Sequence, residues 1–373
     1  MREQVVKKHH HEPLMHIAKR DDMAWWKAWL IRLAAVLIAL LLVGVISVIL
    51  TGGGFFETYG TMFRGAFGRL GSGSTRLLWK FLQETAILLG ISLAVTPAFK
   101  MKFWNCGAEG QALIGGLMSA ICMMKLSDSL PYPLLIVVTV ITSVAAGAVW
   151  GVIPAIFKAY YKTNETLFTL MMNYIAMQLV AYYAYVNAIP AGSGQIQSID
   201  TGHLPGIGGQ AYLLNILVIT VLPVVMAIYL KYSKHGYEIA VVGESQNTAR
   251  YIGINVKKVI IRTMLISGAV CGLIGCLLVA GTDHSVNANT VGGLGFTAIM
   301  VSWLGQFNPG IMIIMAALIV FLDSGAAKVA DTFYLNGSYA DIVAGIVILF
   351  VVGCEFFIRY IVKFRHAQKE VDA

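Results

Sequence analysis

Charge is what this sequence has least of: Asp, Glu, Lys and Arg together make up 12% of its 373 residues. A soluble domain of that size carries about twice that fraction. With 58% hydrophobic residues and a mean hydropathy of +0.74, the chain has too little polar surface to cover itself in water, so lipid is its expected solvent. The glycine-rich phosphate loop ending in Gly-Lys-Ser/Thr is missing, which excludes ATP binding of that kind. There is no HExxH, no Ser–His–Asp arrangement and no carboxylate pair set for acid–base work. Charges within the apolar runs are too few for a proton relay. These absences disfavour an enzyme and a self-powered pump. The five cysteines, Cys106, Cys122, Cys271, Cys276 and Cys354, form no CxxC pair. They read as small buried apolar residues rather than as a metal or disulfide framework.

The formal charge of +8 is not a nucleic-acid signal, because of where it falls. Arg2, Lys7, Lys8, Lys19, Arg20, Lys27 and Arg32 lie before the first long apolar run. Lys231, Lys234, Arg250, Lys257, Lys258 and Arg262 lie in one internal loop, and Arg359, Lys363, Arg365 and Lys369 lie at the end. Basic residues stay on the cytoplasmic side of a membrane. The charge therefore reports orientation and contact with anionic lipid. No cleavable signal peptide is visible, since the first apolar run follows a charged stretch and is long enough to span.

The runs predict an all-α polytopic membrane protein of about ten crossings with both termini cytoplasmic. Residues 1–32 read as a polar, flexible cytoplasmic tail bearing His9, His10, His11 and His16; no carboxylate or thiol is arranged with them, so no metal is expected. Residues 33–362 form the membrane domain, and 363–373 a cytoplasmic tail. Expected helices cover 33–50, 77–99, 103–124, a stretch from Pro131 to Phe157, 167–186, one ending at Leu230, one ending near Gly281, two shorter stretches divided by Asn308-Pro309-Gly310, and 342–361. Loops 51–76, 187–210 and 282–292 then fall outside and the basic loop 231–262 inside; Lys125 and Lys328 are minor exceptions. Gly147 with Gly151, and Gly268 with Gly272, have the spacing of close helix packing.

Three segments stand above this background. In Asn105-Cys-Gly-Ala-Glu-Gly-Gln, Asn105 and Glu109 share a face if the stretch is helical, and Gly107 and Gly110 loosen it. Glu109 either lines a solute path or caps neighbouring backbone N–H groups. In Asn164-Glu165 through Asn173, the first two suit a helix start, and Asn173 either bonds a neighbouring helix or faces an aqueous path. In loop 231–262, Ser245 caps a helix from about Gln246 to Ile252 that Gly253 closes. That helix, with glycines to either side as hinges, is what a cytosolic partner would grip.

These segments resemble the permease subunits of bacterial ABC importers of the simple-sugar and nucleoside class. The likeness covers about residues 60–360: Asn105-Cys-Gly-Ala-Glu-Gly-Gln, Asn164-Glu165 through Asn173-Tyr-Ile-Ala, Gly236-Tyr-Glu through Gly253-Ile-Asn-Val, and Gly295-Phe296 to Asn308-Pro309. The resemblance implies a transport subunit in the bacterial cytoplasmic membrane, without cofactor. Its implied partners are separate ATPase subunits, a second permease chain (a different one rather than a copy), and a lipoprotein or periplasmic receptor. The implied solute is a nucleoside, with a simple sugar or flavin-like molecule as alternatives. Asn105, Glu109, Gln111, Asn173, Phe296 and Trp303 are then the candidates for the translocation path, and aromatics such as Trp104 and Trp303 offer faces for a base. Gly236, Gly243, Glu244, Arg250, Tyr251 and Gly253 are the candidates for coupling to the ATPase. A transporter driven by an ion gradient is the rival, but it leaves the long basic loop without a task.

Overall fold

The computed structural model describes residues 15–20, 23–68, 75–188, 196 and 198–364. A short strand β1 (Met15–Lys19) leads into α1 (Trp25–Thr51), α2 (Phe55–Phe67), α3 (Arg76–Lys100), α4 (Ala108–Leu126), α5 (Tyr132–Tyr161), α6 (Glu165–Val186) and α7 (Leu213–Tyr232). Then come α8 (Lys234–Glu244), α9 (Gln246–Tyr251), α10 (Val256–Leu278), α11 (Leu294–Leu304), α12 (Pro309–Thr332), α13 (Ser338–Arg359) and strand β2 (Tyr360–Phe364). A π-helical turn, Val279–Asp283, extends α10.

The protein is a polytopic α-helical membrane protein. Among the described residues, eight helices are long and apolar enough to cross a bilayer: α1, α3, α5, α6, α7, α10 with its π-turn, α12 and α13. Of the about ten crossings that the hydropathy predicts, the two outside these eight are α4 and α11. With 11 residues, α11 is about 16 Å long, half of a hydrocarbon core of about 30 Å. The two stretches divided by Asn308-Pro309-Gly310 are therefore unequal: α12 is full length and α11 is not.

The chain divides into two compact units: residues up to Thr61 together with those from Ala326 on, and Met62–Gly325. In the first, α1 and α13 run antiparallel, joined by an ion pair of Arg32 Nε with Glu355 Oε1 at 2.7 Å and by a hydrogen bond between the Ser47 and Tyr339 hydroxyls. β1 pairs antiparallel with β2, Met15 opposite Phe364 and Lys19 opposite Tyr360, so the described chain ends leave the same end of this helix pair. Residues 15–32 thus hold a strand and a helical turn where a flexible tail was expected. Helix α1 begins at Trp25 rather than Leu33 because Trp26, Lys27 and Trp29 form an interfacial turn, polar enough to escape a hydropathy reading. His9, His10 and His11 lie outside the described residues.

In the second unit α10 is the centre. A Cβ at Gly147 of α5 would lie 2.4 Å from the Gly268 carbonyl oxygen of α10, and one at Gly115 of α4 would lie 2.5 Å from the Gly272 Cα. Both neighbours thus meet α10 backbone to backbone, the packing expected of small residues in lipid. Outward, Ile141 and Val149 of α5 and Val221 and Val224 of α7 are more than half exposed, a face suited to acyl chains.

Candidate functional site

The bend before α4 is built from polar side chains that are almost wholly buried. Asn105 is 0%, Gln111 1%, Glu109 2% and Asn173 2% exposed, and each is bonded to protein. Asn105 precedes the helix, which starts at Ala108, so it does not share a helical face with Glu109. Its Oδ1 instead accepts from the Gly107 N–H at 3.0 Å and from Gln111 Nε2 at 3.2 Å, while its Nδ2 donates to Ser267 Oγ of α10 at 3.1 Å. Asn173 of α6 takes the Gly110 N–H on Oδ1 at 2.9 Å and donates through Nδ2 to the Cys106 carbonyl at 2.7 Å. Thr169, one turn earlier on the same helix, accepts from the Cys106 N–H at 3.2 Å. The bend's loose backbone groups are thereby satisfied, as buried polar groups must be.

Glu109 sits at the start of α4 but caps another helix, α11. Oε1 accepts from the Gly293 N–H at 2.8 Å and Oε2 from the Gly295 N–H at 2.7 Å. Gly293 is the N-cap of α11, and Glu109 itself sits in the first turn of α4. A helix N-terminus carries about half a positive charge. Two such ends brought together repel, and the carboxylate between them neutralises both while satisfying two donors that α11 leaves unpaired. The approach is so close that a Cβ on Gly295 would lie 2.5 Å from the Glu109 nitrogen. None of the four polar candidates for the path presents a free polar edge in this conformation; they hold the bend in place.

Exposed ring surface is found beside it. Trp303 of α11 stacks on Trp104 of the bend, centroids 5.5 Å apart with planes at 23°, and Phe99 and Phe307 close the cluster. Trp104 is 45% and Trp303 and Phe296 are each 42% exposed. The pairing of Trp104 with Trp303 escapes sequence reasoning, as does the pairing of Glu109 with Gly293 and Gly295, because both join segments far apart in the chain.

The basic loop folds into two helices. Helix α9 lies where the Ser245 cap and Gly253 place it: Ser245 Oγ accepts from the Thr248 N–H at 3.2 Å, and Gly253 takes φ +86°. Helix α8 was not foreseen; Ser233 Oγ caps it from the Gly236 N–H at 3.0 Å. Its glycines are not hinges. A Cβ on Gly236 would meet the Leu230 carbonyl oxygen at 2.3 Å, and one on Gly243 the Lys100 carbonyl oxygen at 2.1 Å. Ile239 and Val242 of α8 and Ala249 of α9 are buried with Ala98 and Met101 of the α3 end, and with Val256, Val259 and Ile260 of α10. Arg262 and Glu238 pair at 2.8 Å across the seam. Glu244, Arg250 and Gly253 are exposed, and Tyr251 is 94% exposed. The far end of α5 joins α6 through a Lys158–Glu165 ion pair of 2.5 Å, next to Asn164, whose Oδ1 caps α6 from the Leu167 N–H at 3.2 Å.

Spanning helices, a buried polar bend between α3 and α4, a half-length helix anchored on it and a packed pair of surface helices are the architecture of an α-helical membrane protein suited to transport. The chain belongs to the family described as branched-chain amino acid transport system, permease component, whose profile matches residues 77–352. It is 31% identical over 339 residues to the guanosine ABC transporter permease protein NupP of Bacillus subtilis, covering 89% of this chain and 95% of that one. It is 29% identical over 368 residues to the glucose ABC transporter permease protein TsgB13 of Haloferax volcanii, covering 93% of each. A second guanosine permease protein of Bacillus subtilis, NupQ, is 25% identical over 220 residues, covering 55% of this chain and 67% of that one. The protein is an ABC transporter permease of the nucleoside and sugar class, a transport component rather than an enzyme.

Proposed function

We propose that this permease forms the path for a nucleoside through the bacterial inner membrane, driven by ATP hydrolysis on separate subunits. The observation that carries the solute class is the half-exposed Trp104–Trp303 stack, which offers planar faces to a base, together with the similarity to a guanosine permease over nearly the full chain. Phe296 and Trp303 lie along this surface. Asn105, Glu109, Gln111 and Asn173 shape the path from behind by fixing the bend. The basic loop faces the cytoplasm, where Glu244, Arg250, Tyr251 and Gly253 offer the ATPase an exposed edge, and Gly236 and Gly243 seat that edge on the membrane core. A second permease chain, as the two guanosine permease proteins of one Bacillus imply, and a receptor that delivers solute complete the importer.

A sugar is the second reading, favoured by the similarity to TsgB13. Uptake of labelled guanosine and glucose by a strain lacking this chain, complemented with wild type or Trp303→Ala, separates the two. The nucleoside reading requires guanosine uptake that the variant weakens. Restored glucose uptake without guanosine uptake would overturn it.

A further inference from the structure

The first unit carries a groove that the transport reading leaves without a use. It runs between α1 and α13 with a volume of about 850 Å³, and its walls include Ile31, Ile38, Leu349, Phe357 and Ile361. Arg20 lies at its mouth. Among the described residues, the Arg20 guanidinium donates through Nη1 to the Met23 sulfur at 3.9 Å and its buried Nε has no hydrogen-bond partner, whereas Arg32 of α1 is committed to Glu355. The α1 wall lies outside residues 77–352, the part matched to the family.

Dimensions and depth identify the occupant. From Ile31 to Ile38 the groove follows α1 for about 10 Å, and from Leu349 to Phe357 it follows α13 for about 12 Å before reaching Tyr360 and Ile361 of β2. One leaflet of hydrocarbon is about 15 Å deep. The mouth lies at headgroup level: Trp26 and Trp29 mark the first turns of α1, and Lys27 sits 5.3 Å over the Trp26 ring, the pattern of a membrane–water interface. An apolar slot of one-leaflet depth, capped at the interface by a guanidinium whose Nε is left without a partner among the described residues, fits a lipid tail below and a phosphate above. Guanidinium is the side chain whose fork matches phosphate oxygens. The stretch 19–27 sets Lys19, Arg20 and Lys27 against Asp21 and Asp22, so selectivity rests on where this guanidinium lies rather than on net charge.

We propose that the groove between α1 and α13 is a binding site for one anionic phospholipid, its acyl chain between the helices and its phosphate on Arg20. The site would clamp α1 to α13 at the end where β1 and β2 join the chain termini.

Native mass spectrometry of the purified full chain tests this, with phosphatidylglycerol and phosphatidylcholine of identical acyl chains as probes. Wild type should retain one phosphatidylglycerol in preference to phosphatidylcholine. Arg20→Gln should weaken phosphatidylglycerol retention about fivefold, the value of one cation near a headgroup, and leave phosphatidylcholine unchanged. Gly353→Leu supplies an arm that does not touch the charge: nothing lies within 4 Å of a Cβ built there, so the side chain should fill the groove without strain and displace both lipids. Equal retention of the two lipids by wild type, an undiminished preference in Arg20→Gln, or full retention by Gly353→Leu would each overturn the proposal. So would a cross-link from Gly353→Cys to another protein chain in the assembled importer.

Discussion

Replacing Glu109 by Gln isolates what the carboxylate contributes, because the two side chains have nearly the same shape. The carboxylate accepts from the Gly293 and Gly295 N–H groups at 2.8 and 2.7 Å. Gln has one acceptor oxygen, so one of these bonds is lost and an amide N–H₂ is turned toward a backbone N–H. A hydrogen bond to a charged group contributes about 1.5–3 kcal/mol. Removing the anion from between two helix N-termini adds roughly 0.3–2 kcal/mol. The expected loss is therefore about 2–5 kcal/mol, concentrated where α11 meets α4. For a chain of 373 residues that lowers the unfolding midpoint by about 3–6 °C.

Cys271 and Cys276 of α10 are both 0% exposed, so a thiol-reactive dye in a thermal ramp reports the opening of this region. Gly295→Ala should act in the same direction, since its Cβ would press on the Glu109 backbone from the other side. If Glu109 instead contacts solute, Glu109→Gln should raise the KM for uptake with the midpoint unmoved. An unmoved midpoint would refute the clamp.

Asn173→Leu removes the acceptor for the Gly110 N–H and the donor to the Cys106 carbonyl; the orphaned buried groups should cost about 1–3 kcal/mol, read in the same dye assay. Ala249→Glu places a carboxylate in a fully buried position of the cluster beneath α9; it should dislodge that helix and abolish co-purification of the ATPase, whereas Arg250→Glu should weaken co-purification and leave the fold intact. The stacked rings of His203 and His284, centroids 3.8 Å apart, give a pH dependence. Burial, and then the neighbouring His203, push the His284 pKa below its ordinary 6.5, so unfolded chain binds the extra proton more readily than folded chain. This stability is present above about pH 6.5 and is lost as pH falls below it. Hydrogen exchange of the Ile199 and Leu204 amides, which donate to the His284 and Ala280 carbonyls at 2.7 and 2.9 Å, should quicken, after correction for intrinsic rates, between about pH 7.5 and 5.5.

What the sequence made legible were features whose causes are local. Hydropathy located the spanning runs. Ser245 and Gly253 bracketed α9 because a cap and a left-handed glycine act within one turn. Asn164 read correctly as a cap for the same reason. Helix α8 does not show in the sequence although Ser233 stands before it, because Gly236 and Gly243 depress helix propensity and look like hinges. Only tertiary packing reveals them as the points where backbone touches backbone. Glu109 showed that a buried carboxylate needed a partner, but the partner is a pair of N–H groups on α11, and backbone donors leave no mark in side-chain chemistry. Helix α11 reads as one of two shorter apolar stretches, yet still counts as a crossing, because hydropathy does not mark where within the run the helix begins. The β1–β2 ribbon was hidden because each strand is only five residues long and its partner lies at the other end of the chain.

The same close contacts bear on how a push on the basic loop could reach the aromatic surface. A loop with true glycine hinges would absorb displacement locally. Here α9 is fixed through Ala249, and α8 through Ile239 and Val242, to the ends of α3 and α10, and a close-packed cluster transmits strain instead of yielding. From α10 the glycine seam at Gly272 reaches α4 at Gly115, and from α4 the Glu109 carboxylate reaches α11, which carries Trp303. Every link is a close-packed apolar cluster, backbone against backbone, or a charge-assisted hydrogen bond, so none can stretch far before it breaks. Enlarging Gly243 to Ala would then loosen the train rather than stiffen it, because the added methyl group lifts α8 off the Lys100 carbonyl oxygen on which it is seated.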